Sequence, residues 1–535
     1  MEEHDAAVSA IAERLKHFYA RREPFRVYHG STNSTRAVHK DRDKIVDTSR
    51  LNHVLGVDKD KKTALVEPNV PMDQLVAATL AHGLVPLVVM EFPGITAGGG
   101  FSGSAGESSS CRHGPFDATV LSIEIVLPDG TVARASQQQP GGENPDLFWG
   151  AASAFGTLGI VTLLEVRLRD ARPFVELTHH PAASFAAALA TLQAQVADPR
   201  VDFVDGIAFS PTSFVVCAGR LVDAAPPATT GSEDATTTKK KKQKVRTYLG
   251  RRDPWFYLDV RRRAAGAPGP VTDLVPLADY LFRWDRGGFW VARYAYRYFA
   301  TPFNGATRRL LDRFMHARVM YHALHASGLA DTYVIQDVGV PYAAAEAFYR
   351  WLDRELGIYP LWLCPLRVRR PDGGGGAAYG LHADFADAAA TPEFMLNFGV
   401  WGPVPGGDDV VRLNRDIEAK LRELGGKKTL YAQAYYTEDE FWQTYNRPAY
   451  DAVRAKYRAD HLPSVYDKVK VDVDGGASAR AREGSRMPAA LRDVRPFQGL
   501  YGVYKAWRGG DYLLGKENKK KKKKKKEKKA GMSGN

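Results

Sequence analysis

A stretch rich in glycine and serine, GGGFSGSAGESSSCRHG at residues 98–114, combines backbone freedom with two side chains that can transfer protons. Glycine lets the backbone approach a ligand closely, and the Glu107 carboxyl and the His113 imidazole are acid–base groups. Gly/Ser tracts are also typical of flexible linkers. Strand patterns flank this one, however, with the apolar LVPLVVMEFPGITA before it and a hairpin pattern, ATVLSIEIVLPDGTVARAS, after it. A stretch between strands of one sheet is predicted to cradle a ligand.

A second glycine turn, GTLGIV at 156–161, lies between a helix pattern and a buried strand pattern. The first stretch is not a P-loop, because no Gly-Lys-Ser/Thr ends it. It is not a Rossmann fingerprint either, because it does not join a strand to a helix in a βαβ unit. Glycine turns of this kind can present backbone N–H groups to a pyrophosphate and bind the edge of a flat heterocycle. The two segments predict a nucleotide cofactor, a flavin.

The elements around these turns indicate a mixed α/β domain up to residue 170. Its helix MDQLVAATLAHG (72–83) has apolar residues at helical spacing and a glycine stop. Beyond residue 170 a β-α-β-β pattern is followed by an aromatic, basic region at 248–330. A second β-α-β-β-α-β series then ends in LYAQAYY (430–436), predicted as a strand. The two series predict a ferredoxin-like second domain with a large insertion.

The formal net charge of +13 comes from two lysine-rich runs. Residues 516–529 hold eleven lysines and two glutamates, and residues 239–244 hold five lysines, which leaves −1 for the rest of the chain. Such runs are typical of solvated segments, and they also attract anionic membranes. A nucleic-acid binder would carry its charge on a shaped surface among aromatic or polar side chains, so no nucleic-acid partner is predicted.

The three cysteines cannot form a disulfide framework, which indicates a reducing compartment. No apolar run approaches the roughly 18 residues of a membrane-spanning helix. The acidic N terminus does not fit a signal peptide. A cytoplasmic location is expected, with a peripheral membrane contact through the lysine tail. His179–His180 and the HALH segment at 322–325 lack partners at metal-ligand spacing, so no metal is predicted.

The order of several motifs resembles the FAD-binding domain of the vanillyl-alcohol oxidase (PCMH-type) superfamily. These motifs are VEP (66–68), TAGG…GESSS…HG (96–114), LPDG (127–130) and DLFWGA…GTLGIVT (146–162). Within the superfamily, the chain resembles the Delta(24)-sterol reductase (Diminuto) family through DKDKKTALVEPNVPMDQL (58–75), QDVGVP (336–341), YPLWLCP (359–365) and EFWQTYNRPAYDAVRAKY (440–457).

The resemblance implies an α+β fold in which a PCMH-type, two-lobed FAD-binding domain is followed by a ferredoxin-like α/β cap. The division is an N-terminal amphipathic helix (1–20), the FAD-binding domain (21–170), the cap (171–470) with a disordered insertion (223–247), and a C-terminal segment with the polylysine tail (471–535).

The resemblance also implies FAD between the two lobes, with covalent attachment through His29 left open. The implied FAD-binding residues are His29, Gly30, Ser31, Thr32, Asn33, Glu91, Thr96, Gly98, Gly99, Ser102, Gly103, Ser109, Ser110, Gly114, Gly156, Thr157, Leu158, Gly159 and Ile160. The sequence departs from the family at Pro93 and Gly94, where two aspartates are usual. It also departs at Cys111, in place of a histidine, and at His113, in place of a tyrosine.

The implied reaction is NADPH reduction of the flavin, followed by hydride transfer to an isolated side-chain alkene of a sterol at the endoplasmic reticulum. Such an alkene has no carbonyl to take up charge, so a proton donor must act in the same step. Glu107, Tyr435, Tyr436 and His113 are the candidates. Glu107 is alternatively a carboxylate bound by loop amides, and strand alternation would turn one of the two tyrosines into the core. A PCMH-type oxidase of an alcohol or aldehyde and a non-catalytic sterol- or membrane-binding protein are the alternative functions.

Overall fold

The computed structural model describes residues 1–29, 42–137, 142–223, 245–327, 332–368, 379–387, 391–404, 409–471, 500–501 and 503–504. The predicted cofactor residues Gly30, Ser31, Thr32 and Asn33 lie outside the described residues, as do residues 224–244 of the insertion and the lysine tail.

The first domain, with the N-terminal helix, is built from short helices and an antiparallel sheet. Its helices are α1 (Glu2–Ala20), α2 (Met72–Leu80), α3 (Ala97–Ser102), α4 (Ser110–His113) and α5 (Pro145–Ala151). Its strands are β1 (Arg26–Tyr28), β2 (Ile45–Asp47), β3 (Val54–Asp58), β4 (Thr63–Val66), β5 (Leu84–Pro86), β6 (Val120–Val126), β7 (Val132–Ser136) and β8 (Ile160–Asp170). The sheet has the order β3-β4-β8-β6-β7, with β5 also paired to β8, while β1 and β2 form a separate parallel pair.

Strand β8 organises this sheet because its sequence, IVTLLEVRLRD, alternates apolar and polar residues. Its burial alternates in the same way, since a strand turns successive side chains to opposite faces. The amphipathic helix predicted at the N terminus is confirmed as α1, which buries Val8, Ile11, Leu15 and Phe18. His4 on the same helix lies 2.8 Å from Glu67 Oε1, which fixes α1 against the first domain.

The cap contains one eight-stranded sheet. Its strands are β9 (Phe174–Ala182), β10 (Phe203–Ser210), β11 (Ser213–Val222), β12 (Val271–Pro276), β13 (Tyr333–Pro341), β14 (Leu361–Arg367), β15 (Phe394–Pro403) and β16 (Lys427–Lys428). Its helices are α6 (Phe185–Ala197), α7 (Phe256–Ala264), α8 (Leu277–Leu281), α9 (Ala292–Tyr298), α10 (Gly305–Leu311), α11 (Ala317–Ser327), α12 (Tyr342–Glu355), α13 (Val410–Glu423), α14 (Glu438–Thr444), α15 (Arg447–Lys456) and α16 (Val465–Val469). The strand order is β12-β9-β11-β10-β14-β15-β13-β16, and the ferredoxin-like description of the cap stays a prediction.

The two faces of the cap sheet bury different cores. Strand β14 shows this, because Leu361 and Leu363 pack with the buried side chains of α6, α12 and α13. Trp362 and Cys364 point the other way and join the core shared with the first domain. Cys217 also lies in that shared core.

The glycine-rich stretch is packed inside the first domain and is partly helical, in α3 and α4. Thr96 caps α3 by accepting a hydrogen bond from the Gly99 N–H at 3.2 Å. A Cβ at Gly98 would lie 2.6 Å from Pro68 Cβ, and a Cβ at Gly100 would lie 2.4 Å from Met90 Cε. The glycines at 98 and 100 therefore serve close packing of α3, a role that the sequence analysis did not give them.

The prediction of a strand at 430–436 is wrong. The described structure has only an isolated bridge there, at Ala434. Side chains occupy the backbone groups that a strand would use, because the Tyr435 N–H donates to Glu418 Oε1 at 2.9 Å and Lys428 Nζ donates to the Gln433 carbonyl. Both Tyr435 and Tyr436 are consequently buried, and the expected alternation of the two does not hold.

Candidate active site

A cavity of about 1420 Å³ lies between the first domain and the cap. Its first-domain wall includes both glycine turns, and its cap wall combines a large apolar surface with polar residues such as Asp337, Asn397 and Lys468. The cap wall includes Phe289, Val319, Met320, Tyr321, Leu324, Ile335, Trp362 and Trp401. Phe289 is the centre of this wall, with its ring centroid 4.1 Å from Trp284, 4.5 Å from Trp401 and 5.3 Å from Trp362. The first-domain wall thus exposes glycine backbone to the cavity, and the cap wall exposes aromatic side chains to it.

Most of the described residues predicted to bind the cofactor lie on the first-domain wall of the cavity. They are His29, Glu91, Thr96, Gly98, Gly99, Ser102, Gly103, Gly156, Leu158, Gly159 and Ile160. The Gly98 N–H is already bonded to the Pro68 carbonyl at 2.8 Å, and the Gly99 N–H to Thr96. These two residues therefore offer a flat Cα surface to a cofactor, not free N–H donors.

The glycine positions fit a flat cofactor. A Cβ at Gly99 would meet Thr96 Oγ1 at 3.1 Å and no other atom within 4 Å, so a longer side chain there would extend into the cavity. Gly156 has φ +71° and Gly159 has φ +154°, conformations that side-chain-bearing residues rarely adopt. Lys468 on α16 closes the cavity beside this turn by donating to the Phe155 carbonyl at 2.9 Å. Lys468 was not among the predicted residues.

A buried pair of carboxyl groups, Glu91 and Glu107, lies at the cavity wall where the first domain meets the cap. The two carboxyls lie close enough for each to shift the pKa of the other. Arg283 of the cap lies 2.7 Å from Glu91 Oε1, and Ser108 Oγ donates to the same oxygen at 2.9 Å. These donors favour the ionised form of Glu91, although burial raises its pKa.

Burial and the adjacent Glu91 carboxylate raise the pKa of Glu107 well above its ordinary value. Of the two carboxyls, Glu107 has its pKa raised further, so it is the member of the pair that favours the protonated form. The alternative interpretation of Glu107, a carboxylate bound by loop amides, finds no support in the described contacts. Glu107 bonds to the loop through its backbone instead, because the Glu107 N–H donates to Ser110 Oγ at 2.9 Å.

A second acid lines the same cavity and was missed by the sequence analysis. Asp337, inside the QDVGVP segment of β13, accepts hydrogen bonds from Tyr431 Oη at 2.6 Å and from Asn397 Nδ2 at 2.8 Å. Burial raises the pKa of Asp337 to about 6, although both donors oppose the shift. The sequence contained a signal for Asp337, because it is an acidic residue within a largely apolar strand. A carboxyl group is buried in such a strand only where other groups pair with it or bond to it.

The other predicted proton donors do not reach the cavity wall. Tyr435 Oη donates to Gln433 Oε1 at 3.0 Å, and Tyr436 packs its ring against Phe441. His113 lies off the wall as well, and burial together with nearby arginines lowers its pKa to about 4. His113 is therefore neutral at pH 7 and is a poor proton donor.

Four of the predicted cofactor residues also lie away from the cavity wall. Ser109 and Ser110 are buried at the start of α4, behind Glu107. Gly114 ends α4, and a Cβ there would meet Ala118 Cβ at 3.0 Å. The buried Thr157 hydroxyl donates to the Ala154 carbonyl at 2.8 Å and accepts from Tyr450 Oη at 2.8 Å. These residues support the turns and do not line them.

The described residues contain no group of three or more His, Cys, Asp or Glu side chains that could hold a metal ion. Within the same ranges, no helix combines the length and the apolarity that crossing a bilayer requires.

Comparison with known proteins agrees with this geometry. A family model described as an FAD binding domain matches residues 6–136. The chain is 30% identical to a Delta(24)-sterol reductase of Arabidopsis thaliana over 92% of this chain and 89% of that protein. It is 28% identical to the Pisum sativum protein of the same name, over 92% of this chain and 88% of that protein. It is 27% identical to the Homo sapiens protein of that name, over 78% of this chain and 76% of that protein.

Proposed function

The chain belongs to the Delta(24)-sterol reductase family, and on that basis we propose that it uses NADPH to reduce an isolated Delta(24)-type double bond in a sterol or sterol-like terpenoid. It is an FAD-dependent oxidoreductase that acts on a carbon–carbon double bond. One observation carries the proposed mechanism: the buried Glu107 carboxyl, whose pKa is raised, lies at the wall of a cavity between glycine turns and apolar cap side chains.

The residues of the first-domain wall suit FAD. Gly98, Gly99 and Gly103 would lie against one side of the cofactor, and Gly156 and Gly159 would lie against another part of it. Bound FAD would supply hydride chemistry, passing to the alkene the hydride that it receives from NADPH. The apolar side chains of the cap wall would hold the sterol and exclude water from the reacting carbons.

Glu107 would supply the second hydrogen of the reduction. Its proton goes to the less substituted alkene carbon, and the hydride goes to the tertiary carbon, where positive charge develops. The overall balance is one alkene, one NADPH and one proton giving one saturated side chain and one NADP⁺. After the transfer, Glu107 and Glu91 are both ionised in one buried site. Because like charges this close are unfavourable, Glu107 recovers a proton before the next turnover.

Arg283 would determine which carboxyl of the pair holds the proton. Its guanidinium binds Glu91 and also donates to Asp205 Oδ2 at 2.7 Å, and Trp362 Nε1 donates to the same Asp205 oxygen at 3.2 Å. This network links the cap to the first domain below the cavity wall. It holds the negative charge on Glu91 and leaves Glu107 free to act as the acid.

The proposed substrate is tested by sterol profiling of cells that lack a Delta(24) reductase and express this protein while supplied with a Delta(24) sterol. A product two hydrogens heavier than the supplied sterol is expected. Cells expressing the Glu107→Gln variant at equal level serve as the control and should accumulate the supplied sterol. Unchanged sterols in cells with abundant, FAD-loaded wild-type protein would contradict the proposed substrate.

A peripheral contact with anionic membranes is also proposed, through the lysine tail. Deleting residues 516–535 removes a net charge of +9 from a chain whose remaining charge is small outside residues 239–244. Binding to phosphatidylserine vesicles is expected to fall, and the binding of the intact chain should weaken with salt, because salt screens exposed charges. Activity on detergent-dispersed sterol should not change. Vesicle binding that is independent of both salt and the tail would contradict this contact.

A further inference from the structure

An outer face of the cap carries exposed arginines around exposed leucines. Leu310 on α10 is 72% exposed and Leu249 is 37% exposed, which is unusual for large apolar side chains on a folded domain. Exposed arginines lie near them in the loop before α7, on α10 and in the segment after α10. We define the arginine–leucine face as Leu249, Arg251, Arg252, Arg309, Leu310 and Arg313.

Hydrogen bonds hold the two segments of this face together. Arg251 Nε donates to the Arg309 carbonyl at 2.6 Å. Beneath them, the buried Arg286 donates to the carbonyls of Tyr248 and Asp253 at 3.1 and 3.0 Å and binds Asp312 at 2.7 Å. The face is therefore a continuous, preformed surface of the cap.

The face is cationic because arginines outnumber acidic residues in this part of the cap. Residues 245–327 contain fourteen arginines and six aspartates, a net charge of +8. None of the six aspartates is exposed, and Asp312 already binds Arg286. The exposed arginines include Arg293 and Arg297 on α9 beside the face. Much of this excess positive charge is therefore carried by arginines that face solvent.

The same elements form part of the cavity wall. On α9, Ala295 and Tyr298 line the cavity while Arg297 is exposed. After α10, Phe314 lines the cavity while the preceding Arg313 is exposed. The cavity lining and the exposed arginines thus come from the same elements, which places the face on the part of the cap that forms this wall.

We propose that the arginine–leucine face docks the enzyme onto an anionic lipid bilayer. Leu249 and Leu310 enter the interface, and the surrounding arginines bind lipid phosphates, which guanidinium groups contact in pairs of hydrogen bonds. Resting on the proposed function, this contact loads the cavity, because an apolar sterol resides in a bilayer and not in water. Leucine exposed at the centre of the face favours lipid over nucleic acid, which is bound by charge together with stacking or polar side chains.

The test is sedimentation of the full-length holoenzyme with phosphatidylcholine vesicles, with or without phosphatidylserine. The Leu249→Asp/Leu310→Asp double variant is expected to lose at least about tenfold in affinity for the phosphatidylserine vesicles. Leu65→Asp, at a leucine of β4 that is 39% exposed on the first domain, is the matched control and should bind like the wild type. The chain lacking residues 516–535 should still bind the phosphatidylserine vesicles in part. Adding the double substitution to that shortened chain should remove the remaining binding.

These measurements do not depend on the reaction, so a failed docking is distinguishable from a wrong substrate. If the proposed function also holds, the double variant should reduce a Delta(24) sterol normally in detergent micelles and at least about tenfold more slowly in vesicles. Equal vesicle binding by the double variant and the wild type would overturn the proposal. Binding to DNA or RNA that the double substitution abolishes, without vesicle binding, would overturn it as well.

Discussion

The Glu107→Gln variant is expected to lose most of its ability to reoxidise its reduced flavin with a Delta(24) sterol. Glutamine keeps the size of the side chain and can still bond to Glu91, but it has no proton to give. General acids contribute roughly 10²- to 10⁴-fold, so the rate constant should fall by at least about a hundredfold. Reduction of the flavin by NADPH needs no such acid and should remain near the wild-type rate. Anaerobic stopped-flow absorbance resolves the two half-reactions.

Asp337→Asn is the matched control, because it changes the second acid of the same cavity. If Glu107 is the donor, this variant should retain most of the sterol half-reaction. The pH profile separates the two acids further, because a donor acts only in its protonated form and the rate falls as pH rises through its pKa. Donation by Asp337 would decline from about pH 6, so a sterol half-reaction that does not follow this decline excludes Asp337 as the donor. A hundredfold loss in Asp337→Asn, with little loss in Glu107→Gln, would contradict the role of Glu107.

The Gly99→Leu variant is expected to lose FAD. The added side chain meets only the Thr96 hydroxyl near its Cβ and then extends into the space assigned to the cofactor. Overpacking of this kind costs about 1–3 kcal/mol, so FAD affinity should fall by roughly 5- to 150-fold. Flavin content after purification and titration of the apoprotein with FAD measure the effect.

Gly56→Leu is the control for Gly99→Leu, since a Cβ at Gly56 on β3 meets nothing within 4 Å. This control should bind FAD normally. The thermal unfolding midpoint of the Gly99→Leu apoprotein should also stay close to that of the wild-type apoprotein, because α3 gains helix propensity from the substitution. Full flavin content in Gly99→Leu would show that the cofactor does not lie against α3. Gly98 is unsuitable for this test, because a side chain there strikes Pro68 before it reaches the cavity.

The sequence predicted the elements well where local pattern decides them. The alternation in β8 and the apolar spacing in α1, α2 and α13 identify a strand and amphipathic helices without any tertiary information. The segment 430–436 looks like a strand by the same criterion, but the Glu418 carboxylate of α13 takes the Tyr435 N–H. Contacts of that kind depend on how distant segments meet, and no local pattern records them.

The candidate site could be predicted only in part for a similar reason. Glycine spacing located both turns and placed Glu107 beside them, because those residues are close in sequence. The proton on Glu107 depends on Glu91, sixteen positions earlier, and on Arg283, which arrives from the cap. Asp337 becomes an acid of the cavity only because β13, β15 and the segment around Tyr431 meet there.

The most direct test of the account is anaerobic addition of a Delta(24) sterol to wild-type enzyme whose flavin has been reduced with NADPH. The account predicts that NADPH bleaches the flavin absorbance and that the sterol restores it, with one saturated side chain formed for each flavin reoxidised. A flavin that NADPH does not bleach, or a reduced flavin that oxygen reoxidises and the sterol does not, would contradict the account and favour an oxidase.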